Sequence, residues 1–400
     1  MTTPDRPLRV LAHTSQIPRI KAELTRRHFL GLAAAAGSAG LLAACGGGGS
    51  PSGGSSKVTK PIASGGPLED TVTMYSWGDY DAPEVLKAFT KKIGPTITSD
   101  SFNSNEEMIA KLVAAKGTSG YDIVVPTGPY IPQMVENGLL APLNKDLIPN
   151  LEHMDPAFLG RDWDKDNDYS ICKAWGTTGF VYDKTVVSRD LTTWADFLDA
   201  AQNEASGKTS VLDDPGELTG LYFWANDIDW NTTDEGDLQA AEDFLVDKLA
   251  EHISAFDSYP GGQAIPQSTQ TLMQVYNGDA RIGILNSKDP DKWQWVLGAP
   301  KTELWMDNWS IVAGAPHPEA AHAFINFVLT PENQLANVAY IGYHTGAKDI
   351  EQAAKDAKLP LLDMVFFSPE QLDTMTTGEV NEAQQRHVDI WDKVKAAAGA

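Results

Sequence analysis

The spacing of apolar residues changes several times after the first 70 residues, and each change marks the border of a predicted element. The run at 72–77 is rich in β-branched and aromatic residues, which predicts a strand. Apolar residues at helical spacing follow at 83–94, where a glycine ends the helix. A second strand at 96–102, a second helix that begins after Ser104 and an apolar run at 121–126 complete the series. This β-α-β-α-β order predicts an open α/β domain with a parallel sheet.

A similar alternation returns in the second half of the chain. We predict a strand at 209–212, helices at 238–249 and 267–276, strands at 281–285 and 305–313, a helix at 318–329, and another helix that Thr330 caps with Pro331 at its first position. The last 40 residues are expected to be helical. Because ligands of open α/β sheets bind beyond the carboxyl ends of the strands, we expect loops 77–80 and 126–130 to border a crevice.

The N-terminal residues have the features of an export leader. Arg26 and Arg27 precede an uncharged stretch at 31–44 that is too short to cross a membrane, an order that resembles a twin-arginine signal. Residues 42–45 resemble the lipobox of bacterial lipoproteins, so we expect Cys45 to carry the lipid. We therefore expect residues 1–44 to be a signal peptide, residues 45–68 to be a flexible Gly/Ser/Pro tether, and the body to be anchored at the outer face of the cell membrane.

The charge and the cysteine count exclude several classes of protein. The chain has 54 acidic and 31 basic residues, and its formal net charge of -23 disfavours nucleic acid as a partner. Apolar residues make up 42% of the chain, which excludes a wholly disordered protein. Two cysteines, Cys45 and Cys172, are too few for a disulfide scaffold, and we expect Cys172 to be a buried free thiol.

Motifs of nucleotide-binding, metal-binding and catalytic proteins are incomplete. The Gly-Lys-Thr at 207–209 lacks the first glycine of a phosphate-binding loop, because Gln202 stands there. Alternating aspartates at 162–168 resemble the start of a calcium loop, but Asn167 and Lys173 occupy the positions that need glycine and glutamate. The histidines are scattered, and no nucleophile elbow is present. We therefore expect no catalytic residue, no metal and no cofactor.

Acidic residues interleaved with aromatic residues are the chemistry that remains. They occur in three separate segments, at 77–80, 213–217 and 305–309. A carboxylate stabilises an organic ammonium group through charge-assisted hydrogen bonds, and an aromatic face does so through its quadrupole. In any single segment these residues could equally be core aromatics and helix caps. Three such segments together favour a site for an organic cation.

These segments resemble the spermidine/putrescine-binding proteins, the extracytoplasmic receptors of ABC-type polyamine importers. The matching stretches are 75–80, 121–126, 167–171, 174–176, 305–307 and 341–343. The resemblance implies an α/β, two-lobed periplasmic-binding-protein fold (type II-like), in which each lobe is an open sheet flanked by helices and crossover strands join the lobes. It implies that the lobes close on a ligand and catalyse no reaction.

The resemblance also implies a division of the chain and a set of partners. We predict that lobe 1 comprises 69–176 plus 306–352 and that lobe 2 comprises 177–305 plus 353–400. The expected partners are a small cationic polyamine and an ABC-type permease, and the protein is expected to be a monomer.

The ligand-binding residues implied by the resemblance come from both lobes. They are Trp77, Asp79 and Tyr80 in the first loop, Thr127 after the buried strand, the acids Asp214 and Glu217, Trp305 and Asp307 around an ammonium group, Tyr343, and Asn381 in the place of a late glutamine.

Two positions depart from the family pattern. Pro129 stands where the family has an aromatic residue, and Leu285 stands where the family has a tryptophan before an Asn-Gly pair. Each change removes a ring, which Tyr130 could replace in one case. The ligand could therefore be another cationic or zwitterionic amine or an amino-acid derivative. A glycoside hydrolase that uses Asp214 and Glu217 as a carboxylate pair is the alternative from another class.

Overall fold

The structure is a computed structural model that describes residues 57–117 and 119–400. The predicted signal peptide, Cys45 and the first part of the predicted tether lie outside these ranges. The strands are β1 (Thr71–Trp77), β2 (Thr96–Phe102), β3 (Ile123–Val124), β4 (Leu140–Ala141), β5 (Ile171–Asp183), β6 (Thr209–Val211), β7 (Ile253–Phe256), β8 (Leu272–Tyr276), β9 (Trp293–Val296), β10 (Thr302–Val312) and β11 (Met375–Thr376).

The helices alternate with these strands along the chain. They are α1 (Pro83–Lys92), α2 (Asn105–Ala115), α3 (Ile131–Glu136), α4 (Trp194–Gln202), α5 (Pro215–Ala225), α6 (Glu235–Phe244), α7 (Ala264–Gln267), α8 (Asn277–Leu285), α9 (Pro318–Val328), α10 (Pro331–Ile341), α11 (Ile350–Asp356), α12 (Pro369–Leu372) and α13 (Gln384–Ala398). Within the described ranges, none of the helices is long and apolar enough to span a bilayer.

The first half of the sheet contains the predicted β-α-β-α-β series. β1 pairs in parallel with β2 on one side and with β3 on the other. The hydroxyl of Ser104 accepts a hydrogen bond from the amide of Glu107 and so caps α2, as the sequence predicts. Phe89 of α1 and Val72 of β1 are fully buried in one core cluster. The predicted parallel α/β unit is therefore confirmed.

β5 and β10 are the long strands that join the two halves of the sheet. β10 pairs with β5 through Leu304–Trp309, and its end pairs with β3 and β4. The second part of β5, from Thr178 on, pairs instead with β8 and β9. The predicted lobe boundaries after residues 176 and 305 fall inside these two strands, and the division into lobes stays a prediction. Every residue of β5 is buried, including Cys172, whose thiol is free as expected.

Two elements of the second half differ from the sequence predictions. Residues 267–276, predicted to be a helix, contain the strand β8, and residues 281–285, predicted to be a strand, end the helix α8. β8 lies between β5 and β6 and is buried on both faces, so its apolar run has no strand period. α8 is buried almost all round and includes the buried polar residues Asp279 and Arg281, so it shows no apolar stripe.

The other predicted elements of the second half agree with the structure in position. α6 continues through one π-helical turn to Leu249. Thr330 precedes α10 with Pro331 at the first position, although its side chain makes no capping hydrogen bond. The expected helical C-terminus holds for α13, whereas β11 and the irregular residues 377–383 precede it.

Residues 57–68 have no helix or strand but are attached to the body. The Glu319 carboxylate accepts hydrogen bonds from the amides of Ser64 at 2.7 Å and Gly65 at 3.1 Å. The hydroxyl of Tyr169 donates to the carbonyl of Val58 at 2.9 Å. This end of the predicted tether is therefore packed against the body, which its Gly- and Ser-rich composition did not indicate.

Candidate functional site

Three side chains on one face of β10 lie at the centre of the candidate cleft. Glu303, Trp305 and Asp307 alternate along the strand, so their side chains point to the same side of the sheet. Four strand residues span about 13 Å, which separates the two acidic residues along the strand with the indole between them. Because β10 joins the two halves of the sheet, residues from both halves surround this face.

The carboxylate of Asp307 is held by two hydroxyl groups from the first half of the sheet. The Tyr80 hydroxyl donates to Oδ2 at 3.0 Å, and the Thr127 hydroxyl donates to Oδ1 at 2.7 Å. The side chain of Asn105 holds Thr127 in place: it donates to the Thr127 hydroxyl and accepts from the Thr127 main-chain amide, both at 3.0 Å. Burial raises the pKa of Asp307 to about 6, although both hydroxyl groups and the nearby Lys173 lower it. A cation beside this carboxylate would offset its loss of hydration.

Tyrosine rings flank Trp305. The ring of Tyr343 lies edge-on to it at a centroid distance of 4.8 Å, and the ring of Tyr276 does so at 5.9 Å. Tyr80 in turn lies 6.1 Å from Tyr343. Trp305 and Tyr343 are each only 8% exposed. These rings form an apolar wall with negative π faces, which suits methylene groups and ammonium groups.

Three carboxyl groups, those of Asp214, Glu217 and Glu303, form a carboxyl cluster at the other end of the β10 face. Asp214 caps α5 by accepting a hydrogen bond from the amide of Glu217 at 3.0 Å. The hydroxyl of Thr178 lies 2.7 Å from Oε1 of Glu217 and 3.3 Å from Oε2 of Glu303. Gln274 donates to Oε2 of Glu217 at 3.2 Å. The sequence predicted Asp214 and Glu217 as neighbours, and the structure adds Glu303.

Burial and mutual repulsion keep the carboxyl cluster partly protonated near neutral pH. Burial raises the pKa of Asp214 to about 6, and Glu106 adds to this. Burial raises the pKa of Glu303 to about 7, a hydrogen bond from Glu217 lowers it, and the charge of Asp214 raises it again. For Glu217 burial is again the main cause of a raised pKa, followed by Glu303. Each charge in the cluster therefore favours a cation in the cleft.

The two ends of the cleft differ in their nearest basic side chain. Lys173 lies near Asp307, where its Nζ pairs with Asp81 at 2.6 Å and lies 4.4 Å from the centre of the Tyr80 ring. Asp81 is thus an ion-pair partner, and the N-cap of α1 is Ala82. In the described part of the chain, no lysine or arginine forms an ion pair with the carboxyl cluster. The same residues contain no group of three or more side chains arranged for a metal.

Two of the predicted site residues make other contacts, and a third is exposed. The ring of Trp77 packs on Phe102 at 4.6 Å. Asp79 is exposed and has a left-handed backbone, with φ at 51°. Asn381 donates to the carbonyl of Asn231 and so holds the loop before α13. These observations give no support to a ligand role for the three residues, which stays a prediction.

An amide side chain late in the sequence does reach the cleft, but it is Gln384. Its Nε2 donates to the hydroxyl of Tyr130 at 3.4 Å, and that hydroxyl donates to Glu106 at 2.6 Å. Tyr130 directly follows Pro129, so a ring is present one residue after the expected position. Gln384 belongs to α13 and Tyr130 to the turn before α3, so this contact connects the two halves. Asn381, the predicted residue, and Gln384 have similar side chains, and the path of the irregular residues before α13 decides which of them reaches Tyr130.

Tyr276 and Glu303 are site residues that the sequence analysis did not identify. Leu285, taken as the replacement for a lost tryptophan, is 40% exposed at the end of α8. An Asn-Gly pair occurs at 277–278, and the residue before it is Tyr276, which lies beside Trp305. Tyr276 therefore supplies a ring before an Asn-Gly pair, and the loss of a family ring at Leu285 stays a prediction. Strand alternation was the available signal for Glu303, which stands two residues before Trp305.

Known proteins resemble this chain over most of its length. Residues 84–363 match the family of bacterial extracellular solute-binding proteins. The spermidine/putrescine-binding periplasmic protein of Salmonella typhimurium is 31% identical over 336 residues, which cover 82% of this chain and 92% of that protein. The putrescine/agmatine-binding protein of Pseudomonas aeruginosa is 27% identical over 357 residues, which cover 84% and 94%.

A solved structure gives the same result for the fold. The spermidine/putrescine ABC transporter substrate-binding protein PotD of Streptococcus pneumoniae superimposes with a TM-score of 0.69 and 28% identity, covering 82% of this chain and all of that one (100%). The periplasmic-binding-protein fold expected from the resemblance is therefore confirmed. Its relatives are solute receptors of ABC transporters rather than enzymes. The chain belongs to the family of bacterial extracellular solute-binding proteins.

Proposed function

We propose that this protein captures a polyamine in the cleft along β10 and delivers it to an ABC-type importer. The observation that carries the proposal is the β10 face, where Trp305 separates the Asp307 carboxylate from the carboxyl cluster. An amine with an ammonium group near each end fits two anionic ends separated by an aromatic wall. The similarity to proteins named for spermidine, putrescine and agmatine supports the same class of ligand.

The energetics of closure support a cation as the ligand. A buried carboxylate without a cationic partner costs several kcal/mol relative to water. The raised pKa values of Asp214, Glu303 and Asp307 are a measure of this cost. Ammonium groups offset it, so the ligand stabilises the closed form more than the open form. The two predicted lobes would move about the paired strands β5 and β10.

The proposal includes the predicted export and anchoring. A receptor for an importer works on the outer side of the membrane, and a lipid on Cys45 would keep it close to the permease. A monomer is sufficient, because both ends of the cleft come from one chain. The part of the tether that packs against Glu319 would then fix where the anchored segment leaves the body.

Calorimetric titration tests the ligand class. The purified protein is unfolded and refolded to remove bound ligand, and then titrated with putrescine, spermidine, spermine and agmatine. We expect a one-site isotherm for at least one of them, with a Kd of about 1 μM or tighter. Butanediol, the neutral counterpart of putrescine, is the control and should not bind.

The outcomes separate the possible ligands. Equal binding of the diol would refute recognition by charge. No binding of any di- or polyamine would refute the polyamine assignment, and tighter binding of an amine with one charge or of an amino-acid derivative would replace it.

Lipid labelling in cells tests the anchor. The full chain, expressed in a bacterium, should incorporate a labelled fatty acid and fractionate with membranes. Cys45→Ala should abolish both results, whereas Cys172→Ala, which changes the other cysteine of the chain, should abolish neither. Incorporation of the label by the Cys45→Ala variant would contradict the predicted attachment site.

A further inference from the structure

The Thr178 hydroxyl lies between two carboxyl groups and has only one proton. It is 2.7 Å from Oε1 of Glu217 and 3.3 Å from Oε2 of Glu303, and a hydroxyl can donate to only one of them. The hydroxyl is nearer to Glu217, so if both carboxyl groups were ionised, Glu303 would face the hydroxyl oxygen and the other carboxylate without a donor. A proton held between Glu217 and Glu303 satisfies this geometry.

Other groups around this pair add negative charge or neutral donors. Gln274 donates to Glu217 at 3.2 Å, and Thr177 donates to the main-chain carbonyl of Glu303 at 2.5 Å. The titratable groups that face the pair are Asp214 on α5, Asp307 on β10, Tyr276 on β8, Tyr130 before α3, and, through Asp214, Glu106 on α2. None of these groups supplies a positive charge. The pair is therefore the part of the cleft where a cation changes the electrostatics most.

We propose that Glu303 is a specificity-determining residue, because it forms with Glu217 a pair that holds one proton in the ligand-free protein and exchanges that proton for a ligand ammonium group. This inference rests on the proposed function. In the exchange, the pair with one proton and the free ammonium ion become two carboxylates bridged by the ammonium group, and the proton passes to solvent. No bond to carbon forms or breaks, and charge is conserved.

The exchange makes the cleft select for ammonium rather than for hydroxyl. A neutral hydroxyl end can form hydrogen bonds with the protonated pair, but it brings no charge that could replace the proton. An ammonium group donates to both carboxylates and neutralises one of them. The charge of Glu303 is thus the element that separates putrescine from aminobutanol, which has the same chain length with one amine replaced by a hydroxyl.

Proton release on binding can be measured by calorimetry. The enthalpy of spermidine binding at pH 7 is compared in two buffers with different ionisation enthalpies. For the native protein we expect about 0.5 to 1 proton released per ligand, because burial raises the pKa of Glu303 to about 7 and raises that of Glu217 as well. The pKa of Asp214 and Asp307 is about 6, so together they contribute only about 0.2 of a proton at pH 7.

Glu303→Gln removes the charge and keeps the shape. In this variant proton release should fall to about half the native value or less, because Glu217 no longer faces a second carboxyl group, and the preference for putrescine over aminobutanol should fall about tenfold. Asp213→Asn is the matched control, because Asp213 is next to the cluster in sequence but pairs with Lys395 at 2.9 Å. It should leave both quantities unchanged. Glu217→Gln, which removes the other member of the pair, should lower the release in the same way and serves if Glu303→Gln does not fold.

The outcomes distinguish this inference from the proposed function. Failure of the native protein to bind any polyamine overturns both. Binding without proton release overturns the inference and leaves the proposed function intact. Equal proton release by the native protein and the Glu303→Gln variant also overturns the inference. A fall in the release together with a fall in the amine preference supports it.

Discussion

Replacement of Asp307 by asparagine should weaken ligand binding without destabilising the fold. Asp307 is 6% exposed and receives hydrogen bonds from Tyr80 and Thr127, so asparagine can keep the shape and part of these contacts. Loss of one member of a buried charged pair costs about 2 to 5 kcal/mol of binding energy. Lys173 reduces the field at this end, so we expect about 2 to 3 kcal/mol, or a 30- to 150-fold rise in Kd.

The effect on folding should have the opposite sign to the effect on binding. Burial raises the pKa of Asp307 from its ordinary value to about 6, so above pH 6 the ionised group destabilises the ligand-free protein by up to about 3 kcal/mol. Asparagine removes this cost and loses hydrogen-bond energy of about 1 to 2 kcal/mol. The free energy of unfolding should therefore stay equal or rise at pH 8.

The assay combines calorimetry with chemical denaturation at pH 8. Spermidine titration gives the change in Kd, and denaturation of the ligand-free protein gives the change in stability. Asp213→Asn has the same change in net charge at a residue paired with Lys395 and should alter neither value. A Kd within threefold of the native value would refute the role of Asp307, as would a loss of affinity that matches an equal loss of stability.

Four further measurements follow from the structure. Trp305→Leu should raise the Kd for spermidine about 5- to 30-fold by removing a cation–π contact, and an unchanged Kd in calorimetry would contradict this. The ligand-free protein should have a smaller radius of gyration at pH 5 than at pH 8 in X-ray scattering. Burial in the closed form raises the pKa of Glu303 and its neighbours, so protonation favours the closed form as pH falls through about 7 to 6. A larger radius at pH 5 would refute this. Cys172 is buried and burial raises its pKa, so a thiol reagent should label it only in denaturant. Glu319→Ala should speed proteolysis within residues 57–68 and leave polyamine affinity unchanged, and equal cleavage rates would show that this contact does not hold the segment.

Local patterns were sufficient where one face of an element is exposed. The series at 71–125 was predictable because α1 and α2 have apolar stripes and clear end signals. β8 and α8 were not, because both are buried on nearly all sides and their apolar runs have no period. In such segments contacts with neighbouring elements decide between helix and strand, because no exposed face gives the local sequence a polar-apolar period.

The site shows the same limit at the level of single residues. Tyr80, Thr127 and Asp307 meet through hydrogen bonds, and their loops were predicted to border one crevice. Asn381 and Gln384 are three residues apart with similar amide groups, and only the irregular path before α13 decides which one reaches Tyr130. That path depends on contacts with residues about 150 positions away, which no local pattern specifies.

The charge distribution of the cleft gives a reason for the order of events in ligand capture. At the Asp307 end, Lys173 lies nearby but pairs with Asp81, so that end needs one positive charge from the ligand. At the other end, the carboxyl cluster forms no ion pair with any described lysine or arginine and holds protons more tightly than ordinary carboxyl groups. A ligand that reaches only the Asp307 end neutralises one charge and leaves the protonated pair in place. Only a ligand long enough to reach Glu303 as well replaces the proton, so full closure depends on both the length and the charge of the amine.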